Sequence, residues 1–331
     1  MTTIKDIAKA AGVTIATVSR ALNNEPGVNE LTRSKIVALA NELNYIPNFA
    51  AKRLVNKRSN CIGIIWHGAR GLFFSHWCNS LQKRADQRGF STMISLAHPD
   101  KAIRQFSEHF IDRLIFWSSP GLPLSLSFLQ QKEKFAGSML VMGGNVLENA
   151  HRIGIDRKGA IFKAVQHLAE FGHRSIAFIG QDEEKLSGFM HGLLEFQLSY
   201  HPDFIIHYPR PSSLPEAKLL ALIGKKPQER PTAFVLDSHG VLFEFNKIVR
   251  KQQVRIPEQF SVVVYDSIPE MEQVFDIPLT TVGPNIEQLT EAALDILTGD
   301  QPDAFQGRWV DMNVESELTV RESVLRPENR S

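Results

Sequence analysis

Residues 3–23 read Thr3-Ile4-Lys5-Asp6-Ile7-Ala8-Lys9-Ala10-Ala11-Gly12-Val13-Thr14-Ile15-Ala16-Thr17-Val18-Ser19-Arg20-Ala21-Leu22-Asn23, and this stretch decides the first domain. Thr3 is placed to cap a helix, with Asp6 three residues on as the acidic half of a capping-box-like pair. Ile4, Ile7, Ala8 and Ala11 then recur at helical spacing and form one apolar face. Gly12 ends that helix, because glycine adopts a left-handed turn at no steric cost. Thr14 caps a second helix, residues 15–22, in which Val18 and Leu22 share a face and Ile15, Ala16, Thr17, Ser19 and Arg20 lie outside. Asn23-Asn24-Glu25-Pro26-Gly27 is a turn, and Asn29 caps a third helix that buries Ile36, Leu39, Ala40 and Leu43. Such spacing fits an ordinary three-helix bundle as well as a helix-turn-helix, whose second helix lies in the major groove of DNA. The hydroxyl-rich, acid-free outer face of the second helix favours the latter, since Ser and Thr donate to phosphates without repelling them.

Charge follows the same division. Residues 1–60 carry nine Lys or Arg and four Asp or Glu, leaving 28 basic and 32 acidic residues beyond them. A basic head on an acidic body suggests that the head alone meets a polyanion. The 331 residues, 43% hydrophobic and 22% charged, suit two or three soluble domains. No run of about 18 uncharged apolar residues occurs, so no membrane span is expected. The N-terminus leads directly into a charged amphipathic helix without an apolar signal core, which points to the cytoplasm. Cys61 and Cys78 are too few and too far apart for a zinc knuckle or a CxxC pair, and the eleven histidines show no HExxH spacing. The histidines read as surface or core residues, and no metal or cofactor is expected.

Residues 3–14 and 17–23, with Thr32-Arg33 and Leu43-Asn44-Tyr45-Ile46-Pro47-Asn48, closely resemble the head of the lac-repressor (LacI/GalR) family. The resemblance implies that Ile15, Ala16 and Arg20 read base edges. Arg20 would grip a guanine, a contact worth about 1–3 kcal/mol of discrimination, while Ile15 and Ala16 offer only apolar contact. Thr14, Thr17, Ser19 and Asn23 would position the DNA backbone. After Pro47, Asn48 can cap a short helix over residues 49–55, far below the ~12 residues that an isolated helix needs. That segment reads as a plain basic linker with a chance leucine, or as a hinge that orders on DNA. The resemblance favours the hinge, with Asn48, Ala51 and Lys52 at DNA and Leu54 wedged beside that of a second copy into the minor groove.

From Cys61 onward, short apolar runs alternate with amphipathic segments. Candidate strands are residues 61–66, 90–96, 113–117, 138–142, 175–179, 204–208, 233–236 and 260–265, with helices such as 74–88, 158–170, 242–251 and 286–297 between them. Eight or nine strands in alternation with helices suit two doubly wound α/β lobes, with ligand held between them at the strands' carboxyl ends. Residues 171–180, 255–258, 261–266, 278–282 and 321–323 extend the resemblance through most of this body. It implies a two-lobed sensor like a periplasmic sugar-binding protein, usually dimeric.

The expected architecture is therefore an α/β chain with a helix-turn-helix head over 1–46, a hinge over 47–59 and an effector-binding and dimerisation domain over 60–331. Family positions that touch ligand correspond to Phe73, Phe74, Lys185, Ser238 and Asp266. An adjacent pair such as Phe73-Phe74 is expected to send one ring into the core. Asp266 could accept two sugar hydroxyls or could simply serve a turn. Lys185 stands where the family generally has arginine and offers only a point charge. Ser238-His239 replaces the family's Asn-Asp, and Trp66 and Trp117 add aromatic character. Asp237-Ser238-His239 contains triad residue types, but neighbours at a strand end point apart and form no relay. The reading is a homodimeric repressor of a pseudo-palindromic operator, modulated by a sugar-like molecule, and not an enzyme. The alternative is a solute-binding module of a transport system.

Overall fold

The computed structural model describes residues 2–45, 59–67, 71–118, 123–209, 212–272, 276–299 and 309–327. Asn48, Ala51, Lys52 and Leu54, and with them most of the expected hinge, lie outside these residues. The chain divides into two compact units, Met1–Ser59 and Asn60–Ser331.

In the first unit, α1 spans Ile4–Ala11, α2 Ile15–Leu22 and α3 Glu30–Glu42. The Thr3 amide and hydroxyl both donate to the Asp6 carboxylate, at 2.8 and 2.7 Å. Those bonds, the hydroxyl's first, hold the Asp6 carboxyl below its usual range. Gly12 closes α1 at φ 70°, as expected of a left-handed C-cap. Thr14 and Asn29 cap α2 and α3 by accepting from the amides of Thr17 and Thr32. Ile7, Ala8, Ala11, Val18, Ala21, Ile36 and Ala40 form the core. Leu22 and Leu39, expected inside, only flank it, because Ala21 takes the buried place on α2. Leu43 is 36% exposed, since it sits at the C-cap beyond the inward-facing turns of α3.

The second unit opens with β1 (Cys61–Ile65), α4 (Leu72–Gln87), β2 (Ser91–Ser95), α5 (Pro99–Glu108), β3 (Arg113–Ser118), α6 (Leu126–Lys134), β4 (Ser138–Gly143) and β5 (His151–Ile155). It continues with α7 (Arg157–Glu170), β6 (Ile176–Gly180), α8 (Glu183–Glu195), β7 (Ile205–His207), α9 (Glu216–Ile223), β8 (Ala233–Leu236), α10 (His239–Lys251), β9 (Ser261–Tyr265) and β10 (Thr280–Pro284). It ends with α11 (Ile286–Thr298), β11 (Asp311–Val314) and β12 (Ser316–Thr319).

These strands make two six-stranded sheets, in the orders β11-β5-β4-β3-β1-β2 and β12-β10-β9-β8-β6-β7. Every pairing is parallel except β10 with β12. Central strands β1, β6 and β9 are buried along their whole length, which explains their continuous apolar runs. Each fully buried ring, such as Phe178 or Phe234, contributes about 1.5–3 kcal/mol of apolar burial.

The chain passes between the lobes three times: after β5, after β10, and between β11 and β12. Helix α11 thereby returns to the first lobe, where Leu289, Ala293, Leu294 and Leu297 share a core with Trp77 and Leu81 of α4. Along the seam Arg84 pairs with Glu287 and Glu291, and Arg88 with Glu291 and Asp295.

Every run expected as a strand contains one, but the described residues hold twelve strands rather than eight or nine. The four additions, β5, β10, β11 and β12, carry His151, Arg152, Thr280, Thr281, Asp311 and Glu317 and lack a plain apolar run. They lie beside the crossings or at sheet edges, where polar side chains are tolerated. Phe204 belongs to a 3-10 turn over Pro202–Phe204, so β7 begins one residue later than expected.

Candidate functional site

On α2 the outward face bears Ile15, 46% exposed, with Ala16 and Arg20 exposed beside it. The Thr14 and Thr17 hydroxyls bond each other at 2.9 Å, and Asn23 Nδ2 reaches Ser19 Oγ at 3.4 Å. These contacts steady the start and end of the helix. Arg33 Nη2 donates to the Glu25 carbonyl at 2.9 Å, which ties α3 to the turn after α2. The result is a firmly held helix that presents one guanidinium, two apolar side chains and several hydroxyls, with no acidic side chain on that helix. Such a face suits phosphates and base edges.

In the second unit, the carboxyl ends of the strands of both sheets face a crevice between the lobes. On the first lobe Trp66, after β1, stacks on Trp117 of β3 with centroids 4.1 Å apart and planes 4° from parallel. Trp77 and Phe74 pack around Trp66 at 5.4 and 4.5 Å, and Phe73 approaches Trp117 at 5.7 Å. This mutual packing leaves Trp66 and Trp117 only 8% exposed, so they form the wall more than a free stacking surface. Contrary to expectation, neither Phe73 nor Phe74 enters the core completely. Both sit in the first turn of α4, where Phe74 packs on the first lobe and Phe73 on the cores of both lobes.

The second lobe contributes Lys185, Asp237, His239, Tyr265 and Asp266. Lys185, in the first turn of α8, donates Nζ to the Asp237 carbonyl at 2.5 Å and lies 3.4 Å from the Tyr265 ring centroid. Burial pulls its ammonium below the ordinary lysine range, against the opposing pull of Asp237 and Asp266. Asp237 does not form a relay: its Oδ2 accepts the amides of Gln181 and Asp182 at 2.6 and 3.0 Å. Ser238 gives its oxygen to the Val241 amide as the cap of α10. Asp266 sits at the end of β9 with φ 86°, a backbone conformation costly for a residue with a Cβ. Its Oδ2 is 2.7 Å from His239 Nδ1.

Among the described residues, polar contacts cross the crevice at three places. His239 Nε2 accepts the Leu72 amide at 3.2 Å, His76 Nε2 meets Glu270 Oε2 at 2.7 Å, and Arg157 Nη1 donates to the Gly143 carbonyl at 2.7 Å. The histidines expected as surface or core residues thus include two that join the lobes. A cavity of about 310 Å³ beside His76 is lined also by Ser80, Ser267, Asn285 and Glu317. Among the described residues no group of three or more His, Cys, Asp or Glu side chains could hold a metal ion. No helix among them is long and apolar enough to cross a membrane.

Sequence reasoning missed His76, Arg157 and Tyr265, and marked His239 only as a departure from the family's Asn-Asp. Tyr265 lies within a strand that was expected, at the strand end where ligand sites gather, and that placement alone could have flagged it.

Comparison with known proteins agrees with this architecture. The family of bacterial regulatory proteins of the lacI type matches residues 3–48, and a periplasmic binding protein-like domain matches residues 165–324. The transcriptional regulator DegA of Bacillus subtilis (strain 168) is 29% identical over 87% of this chain and 88% of its own length. The transcriptional repressor PurR of Aliivibrio fischeri (strain MJ11) is 27% identical over 98% of this chain and 99% of its own. Among solved structures, a lac repressor dimer bound to operator and the anti-inducer ONPF superposes with a TM-score of 0.76 at 23% identity. It covers 98% of this chain and 99% of its own. A complex of the regulator CelR with cellobiose superposes with a TM-score of 0.65 at 22% identity, over 98% and 100%. The chain thus joins a head that matches the lacI type of bacterial regulatory proteins to a periplasmic binding protein-like domain, and both of these sequence relatives are transcriptional regulators.

Proposed function

We propose that the chain is a homodimeric transcriptional repressor of the cytoplasm that binds a pseudo-palindromic operator and responds to a sugar-like effector between its lobes. The observation that carries this reading is the exposed, acid-free face of α2, with Arg20 beside Ile15 and Ala16, inside the segment matched by the lacI family. Arg20 reads a guanine, Ile15 and Ala16 touch bases apolarly, and Thr14, Thr17, Ser19 and Asn23 hold the backbone. In this reading the head is residues 1–46, and a hinge over 47–59 brings Asn48, Ala51 and Lys52 to DNA and wedges Leu54 into the minor groove. Residues 60–331 sense the effector.

Dimerisation is supported by β2, an edge strand whose neighbourhood exposes Met93, Ile94 and Leu96. An exposed apolar edge favours association, and a second copy is the occupant that a two-fold operator requires. Effector binding at Phe73, Phe74, Lys185, Ser238 and Asp266 shifts the balance between two lobe arrangements. Such a coupling is usually worth about 1–3 kcal/mol. The transport reading is not favoured, since both sequence relatives described above are transcriptional regulators.

The test is retention of the purified chain on random duplex DNA across a salt gradient. A phosphate-contacting dimer loses about 10³-fold or more in affinity between 50 and 200 mM salt. No retention at low salt contradicts the proposal.

A further inference from the structure

We propose that His239 acts as a built-in occupant of the inter-lobe crevice: it ties the second lobe to the first turn of α4 where an effector would otherwise stand. This deepens the effector reading above and rests on it.

Helix α4 begins at a glycine, Gly71, that has no side chain to cap it. The first amides of any helix lack partners within the helix and need one from elsewhere. Here the Leu72 amide donates to His239 Nε2 at 3.2 Å, from α10 of the opposite lobe. A backbone amide can only donate, so Nε2 must be the unprotonated nitrogen. The proton of a neutral ring then sits on Nδ1, where it points at Asp266 Oδ2 at 2.7 Å. One imidazole therefore satisfies an acceptor in its own lobe and a donor in the other.

Gly71 is part of the arrangement. A Cβ there would lie 2.4 Å from His239 Nε2, so only glycine lets the ring come this close. Leu72 and Phe73 carry the contact further, because both pack against the core of the second lobe. Asp266, the carboxylate best placed to take ligand hydroxyls, is thus engaged by the ring through Oδ2. A polyhydroxylated ligand that takes Asp266 Oδ2 competes with the ring, and moving the ring releases the Leu72 amide. His239 is a positioning residue for lobe closure and sets how strongly a ligand must compete.

The test measures amide exchange at Leu72, resolved by fragmentation mass spectrometry, in the full-length protein without ligand. Replacement His239→Ala is expected to speed exchange at Leu72 by at least about threefold, the scale of one neutral hydrogen bond. Amides in the interiors of β1 and β9 should keep their rates. Equal rates at Leu72 in both proteins overturn the proposal. Should the variant not fold, the wild-type protein decides alone through the nitrogen-15 shifts of its histidines in mildly alkaline buffer. A neutral His239 with the proton on Nδ1 supports the contact, and a proton on Nε2 overturns it. Either failure leaves salt-sensitive DNA retention intact, whereas loss of that retention sinks the regulator reading and not this contact.

Discussion

Replacing Ile36 by alanine should unfold the head and spare the body. Seven side chains fill the head's core, and only Ile7, Val18 and Ile36 are larger than alanine. Ile36 is fully buried, so no solvent-exposed part of it softens the loss. Removing a buried isoleucine down to alanine costs about 2–5 kcal/mol, the upper end where the site cannot collapse. A core this small rarely supplies more than about 3–5 kcal/mol in total. The two figures nearly cancel, and the variant head should spend a large fraction of its time unfolded. All four tryptophans, Trp66, Trp77, Trp117 and Trp309, lie beyond residue 59, so tryptophan fluorescence follows the body alone. The expected outcome is rapid proteolysis within residues 1–59, lost retention on DNA, and an unchanged tryptophan-detected melting curve. A variant that still binds DNA like wild type, or a melting curve displaced by several degrees, would contradict this.

Lys185→Met should flatten the alkaline part of the stability profile. Burial holds the folded-state pKa of Lys185 below its unfolded value, so between the two values the unfolded chain binds more protons and stability rises with pH. Denaturant titrations across that range should show the rise in wild type and not in the variant; parallel profiles would contradict it. Burial also raises the Cys78 thiol to about 12, which keeps it protonated and unreactive. A thiol-specific disulfide reagent should label Cys78 only after denaturant is added, and prompt labelling of the native protein would contradict its burial.

The head was nearly fully legible because its signals are local. Thr3 with Asp6, Gly12, Thr14 and Asn29 each act within four residues of chain, and each takes the expected role. Core membership was less legible: Leu22 and Leu39 only flank the buried set that includes Ala21 and Ala40, and Leu43 falls at the C-cap of α3. In the body, apolar runs revealed the central strands. They missed β5, β10, β11 and β12, whose polar residues are tolerated beside crossings and at edges. The crevice could be placed by topology, at the strand ends beyond which Lys185, Ser238 and Asp266 follow. What could not be read was pairing at a distance: His239 meets Asp266 27 residues on and Leu72 167 residues back. No periodicity encodes such a contact.

In the proposed reading the face of α2 reads a duplex in two symmetric halves. Selection of bound sequences from a random duplex pool tests it most directly, with Arg20→Ala selected in parallel. The expected product is an inverted repeat bearing a guanine at one fixed position of each half. Arg20→Ala should lose discrimination there, by about 1–3 kcal/mol per half, while it keeps the rest of the site. A pool that shows no enrichment, or a wild-type and a variant site that are identical at every position, would contradict it.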